Sequence, residues 1–136
     1  QTALQLIADG KNQKAINILK KADVEIPPYN VTLEYMSGGL DMARGWLLTG
    51  QKAKGKEYVE AVWKNAHQYL DYYLSLTNDR FLQSQNDCIR QIMIMQSICD
   101  VAGMVSPQLQ KSYEKQLNAL YTLYRGRGGS MPKGNQ

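Results

Sequence analysis

The chain has 136 residues, of which 43% are hydrophobic and 21% are charged, and its 16 basic and 12 acidic side chains give a net charge of +4. This profile is typical of one compact domain that builds its own core, and it excludes disorder over the whole length. No apolar run approaches the ~18 residues of a membrane span. Because the chain opens on Gln1 without an initiator Met, we expect a fragment or a processed product.

The first half of the chain predicts three helices from the helical spacing of its apolar residues. The first covers residues 3–8 and closes at Gly10, and the second follows it and ends before Pro27-Pro28, which cannot continue a helix. The third begins within residues 32–35 and stops at Gly50. Abundant Ala, Leu, Gln and Lys and sparse β-branched residues favour this helical reading.

The second half predicts three more helices, of which the fourth, starting at Lys52, has the strongest apolar stripe. Thr77-Asn78-Asp79 ends it and caps the fifth helix. Ser106-Pro107 begins the sixth, because Ser is a preferred N-cap and Pro fits the first helical position. The predicted buried stripes are Leu82, Gln85, Ile89, Ile92, Met93, Gln96, Cys99 and Ala102 in the fifth helix, and Leu109, Tyr113, Leu117, Leu120, Tyr121 and Tyr124 in the sixth.

The end of the chain differs in composition from the rest. Residues 126–136 are rich in Gly and have no apolar stripe, so we predict a flexible tail after a helical domain of residues 1–125. All of the net charge lies near this end, since residues 110–136 carry five basic side chains and one acidic one. The Arg-Gly sequence at Gly126-Arg127-Gly128 is typical of some RNA-binding segments. An alternative function is therefore a small nucleic-acid-associated helical domain that uses its basic C-terminal end.

The order of the helices predicts an all-α fold in which antiparallel hairpins stack side by side. The second helix resembles the second half of a tetratricopeptide repeat, where small residues allow close helix contact and Pro ends the unit. The matching positions are Gly10, Ala15, Leu19, Ala22 and Pro27, followed in the next unit by Ala43, Trp46 and Gly50. We therefore predict a tetratricopeptide-like helical repeat domain.

A broader resemblance covers most of residues 3–124. It is carried by Leu6-Ile7-Ala8-Asp9-Gly10-Lys11, Lys14-Ala15-Ile16, Ile26-Pro27-Pro28 with Asn30-Val31, Tyr69-Leu70-Asp71-Tyr72-Tyr73-Leu74-Ser75-Leu76 and Ile89-Arg90. In this order the segments resemble the soluble C-terminal tail of a family of bacterial polytopic membrane proteins of unknown function, related to protein O-mannosyltransferase-like glycosyltransferases. The resemblance implies membrane attachment upstream of Gln1 and a soluble domain on the periplasmic face. It places sugar transfer on acidic residues of the membrane half, none of which is in this chain.

The sequence contains few residues that suggest chemistry. His67 is the only histidine, and Asp71 at i+4 can orient its ring on one helix face. Cys88 and Cys99 lie about 16 Å apart along a helix, too far for a disulfide, and are expected to be buried thiols. Cys-x-x-Cys, phosphate-loop and Gly-x-Ser-x-Gly motifs are absent. We predict no catalytic residue, no cofactor and no metal, so that this fragment is not an enzyme.

Binding is the remaining class of function. If the first helix of each hairpin lines a concave face, Ser37 and Arg44 lie on that face. Tyr72 lies about 100° around its helix from Tyr73, so we expect one tyrosine of this segment to meet solvent or a partner. The methionines Met93, Met95 and Met104 are expected to fill core gaps. The predicted function is a protein-interaction or positioning domain, whose partner is another protein or the membrane half of its own parent chain.

Overall fold

The computed structural model describes residues 13, 14, 16 and 17 and residues 36–130. The longer range holds five helices, α1 (Met36–Leu48), α2 (Lys52–Leu74), α3 (Asn78–Gln83), α4 (Gln85–Val105) and α5 (Pro107–Gly126). These ranges contain no strand, which confirms the predicted all-α class. The four residues before α1 are also helical, and Ile16 among them packs against the core. The repeat positions Gly10, Ala15, Leu19, Ala22 and Pro27 lie outside the described residues.

Successive long helices pack against each other. Short links make the pairs α1 with α2, α2 with α4 and α4 with α5 antiparallel, and α1 also contacts α4. The helix α4 therefore lies at the centre, and it is the one described helix that is long and apolar enough to cross a membrane by length and composition. Half of the residues in that apolar stretch are buried inside the fold.

Two helix ends predicted from the sequence are confirmed. Gly50, after α1, has φ +83°, a left-handed conformation that glycine adopts without strain, and the next amide, of Gln51, donates to the Trp46 carbonyl at 2.8 Å. At the start of α5 the Ser106 hydroxyl accepts a hydrogen bond from the Leu109 amide at 3.1 Å, with Pro107 at the first helical position. Local sequence thus sets both the α1–α2 and α4–α5 turns.

The predicted fifth helix is two helices, because Ser84 interrupts it. The Ser84 hydroxyl and amide both donate to the Phe81 carbonyl, at 2.8 and 2.9 Å, and this competes with the regular i to i−4 ladder. The predicted stripe is right at Ile92, Cys99 and Ala102, which are buried, and wrong at Leu82, Met93 and Gln96, which are exposed. Phe81 is fully buried and Leu82 is 50% exposed. Along α4, Cys88, Gln91, Ile92, Met95, Ile98, Cys99, Val101, Ala102 and Val105 are buried.

The predicted tail also differs from the structure over its first residues. Residues 127–130, which we call the C-terminal strap, turn back from α5 and bind the ends of α2, α3 and α4. The Arg127 guanidinium, hydrogen bonds of Ser130 and close packing of Gly129 hold the strap, and none of these depends on an apolar stripe. Residues 131–136 lie outside the described residues.

The helices α1 and α2 approach closely at Gly55, and this predicts an unusual mutational response. A Cβ atom at Gly55 would lie 2.5 Å from Leu47 Cγ and 3.3 Å from the Ala43 carbonyl oxygen. Gly→Ala in a helix normally stabilises by about 1 kcal/mol. For Gly55→Ala we expect overpacking of about 1–3 kcal/mol to exceed that gain. Urea denaturation should show a lower unfolding free energy than wild type.

Gly38→Ala is the matched control, because no described atom lies within 4 Å of the Cβ position at this glycine in α1. It should raise the unfolding free energy by up to about 1 kcal/mol. Equal effects of the two substitutions would contradict the close approach at Gly55.

Candidate functional site

The three residues predicted to bind a partner are not brought together. Ser37 lies in the first turn of α1, and its side chain is outside the described part of the structure. Arg44 is half-buried on the same helix and donates to Asp41 at 3.0 Å. Tyr72 is 54% exposed near the end of α2, with its ring edge-on to Tyr73. Because α1 and α2 are antiparallel, Arg44 and Tyr72 lie about 24 Å apart along the hairpin.

The methionines divide between core and surface, which corrects their prediction as gap fillers. Met95 is fully buried, whereas Met93 is 50% exposed and Met104 is 42% exposed. The spacing of residues 93, 97, 100 and 104 places them on one face of α4, opposite its buried face. We call this exposed face, with Met93, Ser97, Asp100 and Met104, the α4 stripe.

A stacked aromatic pair joins α2 to α5. The rings of Trp63 and Tyr113 are parallel within 5° and their centroids are 3.9 Å apart. Trp63 Nε1 donates to Gln116 Oε1 at 3.4 Å, and His67 lies edge-on to the indole with centroids 6.3 Å apart. The pair places aromatic rings of α2 and α5 in direct contact.

His67 lies as the sequence predicts. Its Nδ1 is 2.8 Å from Asp71 Oδ2, one turn along α2, and Asp71 is exposed. Outside this pair the histidine touches the Trp63 ring. In the described ranges no group of three or more His, Cys, Asp or Glu side chains could hold a metal ion. The arrangement orients the imidazole without assembling a nucleophile or a ligand set around it.

Both cysteines are buried free thiols, as predicted. Burial raises the pKa of Cys99 to about 11, with further contributions from the Glu114 and Asp100 carboxylates. Burial likewise raises the pKa of Cys88, which lies 3.8 Å from the Ser84 hydroxyl. Thiols held in the neutral form are poor nucleophiles, so neither site favours thiolate chemistry.

Cys99 lies in an open groove of about 320 Å³ between α4 and α5. Its lining residues are Gln96, Cys99, Asp100, Glu114, Leu117 and Asn118. The floor is Cys99 and Leu117, and the two carboxylates lie at the exposed rim. The Asp100 and Glu114 carboxylates make the groove negatively charged. The Cys99 thiol on its floor is held in the neutral form.

The raised pKa values predict alkaline destabilisation. Burial, Glu60 and Cys99 raise the pKa of the Tyr113 phenol. Above the ordinary Cys pKa of 9.0, the unfolded chain binds fewer protons than the folded chain, so stability falls as pH rises towards the Cys99 value of about 11. Urea denaturation at several pH values in this window should show the fall.

Cys99→Ala removes one of the contributing groups, so its unfolding free energy should decline less steeply with pH than that of wild type. Tyr113 and Cys88 remain in this variant and should keep part of the slope. Identical slopes would rule out a contribution from Cys99.

The C-terminal strap is fixed by several hydrogen bonds, and the sequence did not predict it. The Arg127 guanidinium donates to the Leu74 carbonyl at 2.5 Å and to Asn78 Oδ1 at 3.1 Å, and it lies 4.5 Å above the centre of the Phe81 ring. Leu74 ends α2, so its carbonyl has no partner within its own helix, and a cation there also complements the helix dipole. We call this recess, formed by Leu74, Asn78 and Phe81, the arginine cleft.

The rest of the strap is fixed by Tyr124 and Gln85. The Tyr124 hydroxyl donates to the Ser130 carbonyl at 2.7 Å, and the amide and hydroxyl of Ser130 both donate to Gln85 Oε1. Gly129 is buried directly against the ring of Tyr124, which is fully buried and edge-on to Phe81. Gly128 has φ +96°, a backbone conformation that favours glycine. At residue 129 glycine is favoured because a larger side chain would overlap the Tyr124 ring.

Gly129→Ala should therefore loosen the strap. A Cβ atom would overlap three carbons of the fully buried Tyr124 ring. We expect a loss of about 1–3 kcal/mol in unfolding free energy, measured by urea denaturation. Gly126→Ala is the control, since no described atom lies within 4 Å of its Cβ position. A Gly129→Ala protein as stable as that control would contradict the packing.

A buried amide on α4 also escaped the sequence analysis. Gln91 is 1% exposed, and its Oε1 has no hydrogen-bond partner in the described residues. Its position three residues after Cys88 and four before Met95 places it on the buried face, and the predicted stripe did not include it.

Comparisons with known proteins add no relative. No family model, no curated protein and no solved structure matches this chain.

Proposed function

We propose that the chain is a non-catalytic protein-interaction or positioning domain, built as a tetratricopeptide-like stack of helical hairpins. The observation that carries the proposal is the contact of α1 with α4 in addition to the hairpin contacts. It makes the first helices of the two hairpins neighbours, as in repeats that share one binding face.

The binding face of this proposal is the surface shared by α1 and α4. Arg44 provides a cation on α1, and the α4 stripe provides two exposed methionine side chains. Methionine adapts its shape to an apolar partner surface, which suits a protein partner better than a small ligand. Tyr72 lies at the far end of the hairpin and forms a second, separate contact point in this proposal.

The test places a photo-crosslinking amino acid at residue 44 or 93 of the full-length protein in its own cells. We expect both positions to capture the same protein, or the membrane half of the same chain. Residue 115, an exposed lysine on α5, is the control and should capture neither. Adducts formed equally at residue 115, or none at residues 44 and 93, would contradict the proposed face.

We also propose that the domain is the soluble tail of a membrane-bound, glycosyltransferase-like parent and lies on the periplasmic face. The support is the resemblance of the segments quoted from the sequence. The reading frame upstream of Gln1 should then encode several apolar stretches of about 20 residues. Protease added to spheroplasts, in which the outer membrane is opened and the inner membrane is intact, should cleave the domain. A frame without such stretches would end this part of the proposal.

A nucleic acid is the rival partner, and the state of Arg127 argues against it. Its guanidinium is engaged by Leu74, Asn78 and Phe81 and is not offered to a phosphate. We expect weak binding of RNA or DNA at physiological salt. Tight binding that falls steeply with added salt, by counterion release, would favour the rival.

A further inference from the structure

The arginine cleft holds a complete recognition site for one kind of side chain. It offers a backbone carbonyl at the end of α2, an amide oxygen from Asn78 and the face of Phe81, all on the same guanidinium. A planar guanidinium satisfies all three at once, because it donates in its plane while its face stacks on a ring. A lysine ammonium has no such plane and matches the site poorly.

The residues that follow the arginine are specified as well. The first residue after the arginine must adopt a positive φ, and the second must have no side chain because it packs against the Tyr124 ring. The backbone amide of the third must donate to Gln85. Gly128, Gly129 and Ser130 meet these three requirements. These contacts match the sequence Arg-Gly-Gly-Ser, which residues 127–130 of the same chain provide.

We propose that the arginine cleft and the adjoining Tyr124 surface are a binding site for an Arg-Gly-Gly segment of a partner protein, and that the C-terminal strap is a built-in competitor occupying it. The strap is joined to α5 through Gly126, so its effective concentration at the site is of millimolar order. A free segment then binds well only when the strap is released. The identity of the ligand as a partner protein rests on the proposed function, whereas the cleft can be tested with this chain alone.

The experiment uses the full chain carrying Arg127→Ala, which empties the cleft, and a fluorescent peptide of sequence Gly-Arg-Gly-Gly-Ser. Anisotropy should show binding to this variant that is at least about tenfold tighter than to wild type, in which the strap competes. A Gly-Lys-Gly-Gly-Ser peptide should bind the variant at least about tenfold more weakly than the arginine peptide. Arg125→Ala is the matched control. Its side chain makes no hydrogen bond in the described residues, so this variant should behave as wild type.

Thermal melting in the presence of arginine amide covers the case in which Arg127→Ala folds poorly. Arginine amide should raise the melting temperature of Arg127→Ala more than an equal concentration of lysine amide does. On Arg125→Ala the two amides should change the melting temperature by the same amount. Equal effects of the two amides on Arg127→Ala, or equal affinity of wild type and variant for the arginine peptide, would overturn the cleft as a recognition site. Neither result would affect crosslinking at residues 44 and 93, so the proposed function would stand or fall separately.

Discussion

Tyr113→Ala should lower the unfolding free energy of the domain by about 3–5 kcal/mol, the range for aromatic to alanine changes in a core. The ring is 6% exposed and stacks face to face on Trp63 at 3.9 Å, and it provides the direct aromatic contact between α2 and α5. Its removal leaves a cavity and also exposes one face of the indole. Urea denaturation with Trp fluorescence as the signal would measure both the stability and the altered environment of Trp63.

The control for this substitution is Tyr72→Ala, which removes an equal volume from a side chain that is 54% exposed. Surface changes of this kind stay within about 0.5 kcal/mol. A loss at Tyr113 no larger than at Tyr72 would show that the stack does not connect α5 to the core.

Phe81→Ala should also cost about 3–5 kcal/mol, although Phe81 belongs to a helix of only six residues. The ring is fully buried, contacts the edge of Tyr124 and supports the Arg127 guanidinium, so its loss affects α3, α5 and the C-terminal strap together. Amide hydrogen exchange should show faster exchange in α3 and in the strap than in the middle of α4.

Leu82→Ala is the matched control, one residue along and 50% exposed. Its expected cost is within about 0.5 kcal/mol, as for other exposed positions. The pair tests the register of this segment directly, because the apolar pattern of the sequence predicts Leu82 as the buried residue. A larger effect at Leu82 than at Phe81 would restore the sequence-based register.

The sequence predicted the long helices because their signals are local. Gly50 ends α1 and Ser106-Pro107 starts α5 through bonds that span only a few residues. The sequence did not predict the break at Ser84, because a single serine within an apolar pattern is also compatible with one continuous helix. Its hydroxyl bond to Phe81 marks the break between α3 and α4.

The candidate sites were predicted less well, because they depend on partners distant in sequence. Arg127 meets Leu74 and Asn78, which lie 53 and 49 residues earlier. Composition alone assigns the Gly-rich end to a flexible tail, since it contains no apolar stripe to bury. The exposure of Met93 likewise follows from the way α4 packs against α2, which its own sequence does not record.

The separation between Leu74 and Arg127 also affects how the chain folds as it is made. Translation adds about 5–20 residues per second, so the end of α2 waits about 3–10 seconds after its own synthesis before the arginine that caps it exists. During that interval Phe81 has neither Tyr124 nor the guanidinium above it. A released chain that ends before residue 127 should therefore keep α1, α2 and α4 but present an aromatic surface to chaperones, and the last residues made would close that surface.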